Sequence, residues 1–137
     1  MTEREGPAAT VRAYIAGLNS GNPDLPAACV SEAFINEHTS TLGQNVEGRD
    51  AYRKRVADFF AEFPGLHYEI EDLIVDGERV AVPYVMTGKW NAPGAVPNSA
   101  KSFRIRGMFR FRVENGKITH RVDYWDSADF QRQVGAV

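Results

Sequence analysis

The spacing of apolar residues changes from a helical to a strand period near residue 65 of this 137-residue chain. Before that point, Val11, Tyr14, Ile15 and Leu18 recur at i, i+3, i+4 and i+7. Residues at this spacing share one face of a helix. The pattern therefore predicts an amphipathic helix from about Pro7 to Leu18.

Two further helices are predicted before the change of period. A short one runs from Pro23 to about Val30, because proline suits the first turn of a helix. A longer one runs from Gly48 to Phe63, and Pro64-Gly65 ends it. The apolar stripe of this longer helix consists of Tyr52, Val56, Phe59, Phe60 and Phe63.

Alternating apolar and polar residues predict most of the remaining chain as strands. The predicted strands are Phe34–His38, Leu66–Val75, Val80–Trp90, Phe103–Val113 and Lys117–Trp125. Asp76-Gly77 and Asn115-Gly116 are favoured hairpin turns. Pro83 cannot donate to a ladder of hydrogen bonds, so we expect a bulge or a sheet edge there.

Two loops and a final helix complete the predicted order. Thr39 to Glu47 is a polar loop, and Asn91 to Ala100 is a loop long enough to form a rim or lid. Asp126 to Val134 is a short helix with Asp126 or Ser127 as its N-cap. Helices followed by antiparallel strands predict one α+β domain over residues 1–137, a cone-shaped barrel whose curved sheet wraps around the helices. Its open end would be an apolar pocket.

Charge and composition exclude several classes of function. A formal net charge of −2 gives no basic surface for nucleic acid or an anionic membrane. Cys29 is the only cysteine, and the three histidines have no metal-ligand spacing, so we expect no metal and no cofactor. No apolar run reaches membrane-spanning length and the amino terminus is polar, which predicts a cytoplasmic protein.

The last predicted hairpin carries the most informative chemistry. Its second strand ends in two carboxylates, Asp123 and Asp126, among aromatic and apolar residues. Burial disfavours the charged form of a carboxylate and raises its pKa, which suits a general base. The alternative for Asp123 is a strand carboxylate paired with Arg121 or Arg106. For Asp126 the N-cap of the last helix is the preferred interpretation, and a role in the site is the alternative.

Segments along nearly the whole chain resemble the SnoaL-like polyketide cyclases, within the nuclear transport factor 2 and ketosteroid isomerase-like fold. The matching segments are Val11–Gly21, Phe34–His38, Gly48–Tyr52, Phe63–Leu66, Ile70–Val82, Thr87-Gly88, Arg106-Gly107, Phe111-Arg112, Glu114–Ile118 and Asp126–Gly135. This fold hosts isomerases, cyclases, hydroxylases and binding modules, so the resemblance is more specific for the fold than for the reaction.

The resemblance implies an intramolecular aldol condensation without metal or cofactor. In the family cyclases, an aspartate near the end of the last strand is taken as the acid/base, with a histidine on the neighbouring strand. Pairing Val113 with Lys117 across the turn would place Phe109 opposite Arg121. Phe109, Arg121 and Asp123 would then share one face while Asp126 points away. Asp123 is therefore the expected catalytic residue, provided that no bulge shifts the register by one residue.

The chain departs from the family at the histidine, which maps to Phe109. A phenylalanine cannot donate a hydrogen bond to a developing enolate oxygen. Ring closure thus stays open beside two alternatives: a cofactor-independent hydroxylase, and a module that only binds a hydrophobic ligand.

Other residues are candidates for contact with a substrate. Tyr14 lies on the apolar stripe of the first helix, and Asn36 and His38 alternate on the first strand. Trp90 would stack on a planar ligand, and Arg121 would either hold the neighbouring Asp123 ionised or bind an ester or enolate oxygen. An adaptable apolar lining would come from Phe59, Phe63, Tyr84, Met86 and Met108, and Phe109 would contact the substrate from the face that it shares with Asp123. For each of them, ordinary core packing or a surface position is the alternative.

We therefore expect a polyketide-tailoring enzyme that binds a small hydrophobic polycyclic or polyketide-like ligand. It would cyclise this ligand by an aldol reaction that uses Asp123. The resemblance also implies a homodimer that pairs through the outer face of the sheet.

Overall fold

The computed structural model describes residues 6–40, 42–92 and 99–135. Within these ranges the helices are α1 (Pro7–Ser20), α2 (Asp24–Ala28), α3 (Arg49–Glu62) and α4 (Ser127–Val134). The strands are β1 (Val30–His38), β2 (Val46–Glu47), β3 (His67–Ile70), β4 (Ile74–Asp76), β5 (Arg79–Trp90), β6 (Lys101–Glu114) and β7 (Lys117–Trp125). No helix in the described part of the chain is long and apolar enough to cross a membrane.

The strands form one sheet in the order β2-β1-β7-β6-β5-β3. β4 also pairs with β5, beyond the end of β3. β1 and β7 run parallel, and the other pairs run antiparallel. Helices cover one face of the sheet, and the core between them contains the α1 stripe Val11, Tyr14, Ile15 and Leu18. The predicted α+β fold is confirmed.

The boundaries differ from the prediction where the sequence carries little periodicity. β1 begins at Val30 instead of Phe34, and the predicted loop from Thr39 to Glu47 contains the two-residue strand β2. The predicted strand Leu66–Val75 is divided into β3 and β4. The proposed rim or lid at Asn91 to Ala100 lies largely outside the described residues.

Pro83 explains the break between β3 and β4. It lies inside β5, where its neighbour β6 pairs without interruption. The carbonyl oxygen of Pro83 accepts a 2.9 Å hydrogen bond from the Glu71 nitrogen, so the Pro83 nitrogen faces the same side. That nitrogen has no hydrogen to donate, and the partner strand ends there at Ile70 and resumes at Ile74. Of the bulge and the sheet edge that were expected at Pro83, the structure has a local edge.

The register of the last hairpin differs from the prediction by one residue at the turn and by two residues beyond a bulge. Glu114 pairs with Lys117 across the Asn115-Gly116 turn, and a bulge follows between Arg112 and Val113. Phe109 therefore lies opposite Asp123, where the prediction placed it opposite Arg121. A shift of two residues preserves the faces of a strand. Phe109, Arg121 and Asp123 accordingly share the buried face.

Candidate functional site

A cavity of about 250 Å³ opens between helix α3 and the inner face of the sheet. Its walls are mostly apolar, and β1 and β7 contribute four of the polar side chains. The lining residues are Leu18, Asn36, His38, Leu42, Gly43, Gln44, Tyr52, Arg55, Val56, Phe59, Glu62, Phe63, Tyr68, Tyr84, Met86, Trp90, Ile105, Arg121, Asp123, Trp125 and Phe130.

The parallel pairing of β1 and β7 creates the polar part of this cavity. Asn36 pairs with Arg121, and His38 pairs with Asp123. Each strand contributes residues two positions apart, whose side chains therefore point to the same face. The four side chains form one cluster on an otherwise apolar face, which we call the polar cluster.

Asp123 is the acid of the polar cluster, and only 5% of its surface is exposed. The hydroxyl of Tyr84 donates a 2.7 Å hydrogen bond to Oδ1 of Asp123. Burial raises the pKa of Asp123 to about 6, although the positive charge of Arg121 and the Tyr84 hydrogen bond both act to lower it. The carboxyl group therefore exchanges its proton near neutral pH, as a general base requires.

Gly107 gives Tyr84 its path to Asp123. Tyr84 pairs with Gly107 on the adjacent strand, and Asp123 lies one strand further on. A Cβ at position 107 would lie 2.3 Å from the Tyr84 hydroxyl and 2.7 Å from the carbonyl oxygen of Tyr124. The absence of that atom lets the phenol ring cross β6.

Arg121 is the cation of the polar cluster, and its hydrogen-bond partners are all neutral. Its Nε donates to Oδ1 of Asn36 at 2.8 Å, and Nη1 donates to the Tyr14 hydroxyl at 3.0 Å. Nη2 lies 3.4 Å from Nε2 of His38. The guanidinium carbon lies 4.8 Å from the ring centre of Phe109, within range of a cation–π interaction.

These contacts use only part of the hydrogen-bonding capacity of the guanidinium. Three of its five N–H groups have partners within the described residues. The Tyr14 hydroxyl is itself hydrogen-bonded to the hydroxyl of Tyr52. The arginine is thereby held in position from behind while its remaining N–H groups stay unsatisfied.

His38 is a neutral member of the polar cluster. Burial, together with the charges of Arg121 and Arg55, lowers the pKa of His38 to about 3. Since the Arg121 N–H can only donate, the contact assigns the lone pair to Nε2 and the ring proton to Nδ1. That Nδ1 has no hydrogen-bond partner and lies 3.7 Å from Oδ2 of Asp123. The pair is not an ion pair, because the imidazole carries no charge.

Nine of the twelve predicted site residues line the cavity. They are Asn36, His38, Phe59, Phe63, Tyr84, Met86, Trp90, Arg121 and Asp123. Arg106, one predicted alternative partner of Asp123, instead pairs with Glu71 at 3.1 Å. Asp126 caps α4 by accepting hydrogen bonds from the nitrogens of Ala128 and Asp129.

Three predicted contact residues do not line the cavity. Met108 lies on the outer face, because it alternates with the inward-facing Phe109 along β6. Phe109 is fully buried beneath the Arg121 guanidinium. Tyr14 is fully buried behind Arg121 and supports it through its hydroxyl.

Seven polar or aromatic lining residues were not predicted from the sequence: Gln44, Tyr52, Arg55, Glu62, Tyr68, Trp125 and Phe130. Arg55 and Glu62 follow Tyr52 by three and ten residues on α3, so they share its helical face. The helical spacing of Arg55 and Glu62 from the predicted apolar stripe could have identified both residues as inward-facing. In the described residues, no group of three or more histidine, cysteine, aspartate or glutamate side chains is arranged to hold a metal.

The family model of the SnoaL-like domain matches residues 11–121 of the chain. No curated protein matches the chain. A candidate SnoaL-like polyketide cyclase from Jannaschia sp. CCS1 has a similar structure, with a TM-score of 0.80 and 23% identity, over 96% of this chain and 92% of that one.

Two other solved structures share the same fold. A candidate SnoaL-like polyketide cyclase from Shewanella denitrificans OS-217 gives a TM-score of 0.84 at 13% identity, covering 96% of this chain and 98% of that one. The second is a protein from Catenulispora acidiphila DSM 44928 with a ketosteroid isomerase-like fold, solved in complex with trimethylamine. Its TM-score is 0.80 at 20% identity. There the coverage is 92% of both chains.

Proposed function

Because the chain belongs to the SnoaL-like domain family, we propose that it is a cofactor-independent enzyme that cyclises a hydrophobic polycarbonyl compound by an intramolecular aldol reaction. The observation that carries this proposal is the buried carboxyl group of Asp123 at the cavity wall, with a pKa of about 6 and a buried guanidinium beside it.

Asp123 is the general base in this reaction. Its carboxylate removes a proton from a carbon between two carbonyl groups, and the C–H electron pair moves onto a carbonyl oxygen to give an enolate. A base with a pKa near neutrality combines a populated ionised form with useful basicity. The flanking carbonyl groups supply the remaining acidity of the C–H bond.

Arg121 stabilises the enolate oxygen. The family histidine maps to Phe109, which has no donor, and the guanidinium rests on that phenyl ring. Its two unsatisfied N–H groups provide fixed donors in an apolar setting, where electrostatic stabilisation is stronger than in water. Asn36, Tyr14 and His38 keep the guanidinium in place before the substrate arrives.

Ring closure needs no additional reagent. The enolate carbon forms a bond to the carbon of a second carbonyl group in the same molecule, and the resulting alkoxide takes the proton from Asp123. The carboxylate is thereby regenerated, and the product is an isomer of the substrate. Confinement in the cavity favours this step by holding the two carbons close together.

A module that only binds its ligand explains the polar cluster less well. Burying a carboxyl group and a guanidinium costs folding free energy, and apolar residues would line such a cavity without that cost. The cavity is open, and both groups border it.

The reaction can be tested with nonane-2,4,8-trione, a small triketone whose C3 lies between two carbonyl groups and can attack the third carbonyl group to close a six-membered ring. We expect the wild-type protein to accelerate formation of the cyclic ketol, and Asp123→Asn to reduce the rate to the uncatalysed level. Mass spectrometry separates the alternatives, because aldol addition leaves the mass unchanged and hydroxylation adds one oxygen. Equal rates with the two proteins would contradict the proposal.

A further inference from the structure

Arg55 is a second cation at the cavity, and the aldol mechanism does not use it. It lies on the inner face of α3, is half-buried and lines the cavity. Within the described residues, no carboxylate lies within ion-pair distance of it. Arg53 on the same helix is different, because its Nε lies 2.6 Å from Oδ1 of Asp24 at the exposed surface.

The charge of Arg55 acts on the end of the cavity that holds the polar cluster. After burial and Arg121, Arg55 is the third cause of the lowered pKa of His38. His38 in turn neighbours Asp123. Arg55 therefore lies near enough to act electrostatically on the group next to the proposed base.

Of the three carboxylates on α3, Glu62 is the one that lines the cavity. Glu62 follows Arg55 by seven residues, which corresponds to about 10 Å along a helix. Its carboxylate accepts a 3.0 Å hydrogen bond from Nε1 of Trp90. Glu62 is thus hydrogen-bonded to Trp90, about two helical turns away from Arg55.

A ligand carboxylate would satisfy the unpaired guanidinium of Arg55. Arginine stays protonated at all relevant pH values and binds carboxylates through two parallel hydrogen bonds. The volume of about 250 Å³ is smaller than the roughly 300–1,000 Å³ of pockets that enclose drug-sized ligands. A compound with one or two rings fills such a space.

We propose that Arg55 binds a carboxylate group of the substrate, and that the substrates are one- or two-ring hydrophobic carbonyl acids. The carboxylate lies at Arg55, the reacting carbonyl lies at Asp123 and Arg121, and the ring packs against the aromatic side chains of α3. The carbonyl part of this assignment rests on the proposed function, whereas the carboxylate part rests on Arg55 alone.

Binding of two isosteric probes, 2-naphthoate and 2-naphthamide, tests this assignment by calorimetry at pH 7.5. We expect the wild-type protein to bind the naphthoate at least about tenfold more tightly. Arg55→Gln should weaken naphthoate binding to the level of the amide and leave amide binding unchanged. Arg55→Lys should retain part of the preference, and the control Arg53→Gln should retain all of it.

Equal affinities in the wild-type protein, no saturable binding of the naphthoate, or a preference that persists in Arg55→Gln would each overturn the proposal. Unchanged amide binding verifies that the variant cavity is intact. The proposed function is tested separately by turnover in Asp123→Asn. A naphthoate preference together with an active Asp123→Asn protein would refute the function alone, and the opposite pair of results would refute the role of Arg55 alone.

Discussion

The hydroxyl of Tyr84 donates a 2.7 Å hydrogen bond to Oδ1 of Asp123 from a strand that does not pair with the strand of Asp123. The ring spans the intervening strand at Gly107, the one residue type that leaves room for it. Gly107 thus permits the hydrogen bond that acts to lower the pKa of Asp123.

Replacing Tyr84 by Phe should shift the activity profile to higher pH. The hydrogen bond favours the ionised carboxylate, so its loss raises the pKa of Asp123 above its value of about 6. A hydrogen bond to a charged group contributes about 1.5–3 kcal/mol, which corresponds to a shift of about one pH unit or more. The pH dependence of turnover measures this shift.

The matched control for this variant is Tyr124→Phe. Tyr124 lies beside Asp123 on β7, but its hydroxyl accepts hydrogen bonds from Arg110 on the outer face. We expect this variant to keep the wild-type profile. The same shift in both variants would show that the Tyr84 hydrogen bond does not set the pKa.

Gly107→Ala should disturb Tyr84 before it disturbs anything else in the site. The new methyl group would lie 2.3 Å from the Tyr84 hydroxyl, so the phenol must move away from Asp123. We expect a loss of stability of about 1–3 kcal/mol, as is typical of overpacking, together with an alkaline shift like that of Tyr84→Phe. Chemical denaturation measures the first effect.

A double variant separates these two effects of Gly107→Ala. If the methyl group acts on the profile through Tyr84, Gly107→Ala should shift the profile no further in a Tyr84→Phe background. An additive shift in the double variant would contradict this explanation.

The unfolding free energy of Asp123→Asn should increase relative to that of the wild-type protein as the pH rises. The carboxyl pKa is raised from 3.8 to about 6 on folding, so its stabilising contribution is complete below about pH 3.8 and is lost as the pH passes 6. Between pH 4.5 and 7.5 the difference in unfolding free energy should move by about 2 kcal/mol in favour of the variant. Urea denaturation at both pH values measures it, and a difference that stays constant would mean an ordinary pKa.

Asp126→Ala should reduce stability without moving the pH profile of turnover. Its carboxylate accepts hydrogen bonds of 3.0 and 3.1 Å from the nitrogens of Ala128 and Asp129, and loss of an N-cap costs about 1 kcal/mol. Asp126→Asn should restore most of the stability, because asparagine is also a good N-cap. A pH profile displaced by Asp126→Ala would instead give this carboxylate a part in the chemistry.

The sequence predicted those parts of the fold where one physical signal dominates. The stripe of α1 and the Asn115-Gly116 turn were clear, because helical periodicity and residues with positive φ leave few alternatives. The two-residue strand β2 has no detectable period. The bulge beside Val113 depends on tertiary packing, which a single sequence does not display.

The candidate site was predicted in the same uneven manner. Strand alternation was sufficient to turn Asp123 and Arg121 inward, even though the register was displaced. The Tyr84 hydrogen bond could not be predicted, because it depends on how closely the ring approaches across Gly107. The homodimer and the cytoplasmic location remain predictions.

The most direct test of the central claim is the exchange of α-protons of 2-tetralone, a two-ring ketone, followed by NMR in deuterated water. If Asp123 is the general base, the wild-type protein should accelerate exchange with a rate that rises through about pH 6 and then levels off. Asp123→Asn should show only the uncatalysed rate at every pH. Exchange by Asp123→Asn at the wild-type rate would contradict the claim that Asp123 removes the proton.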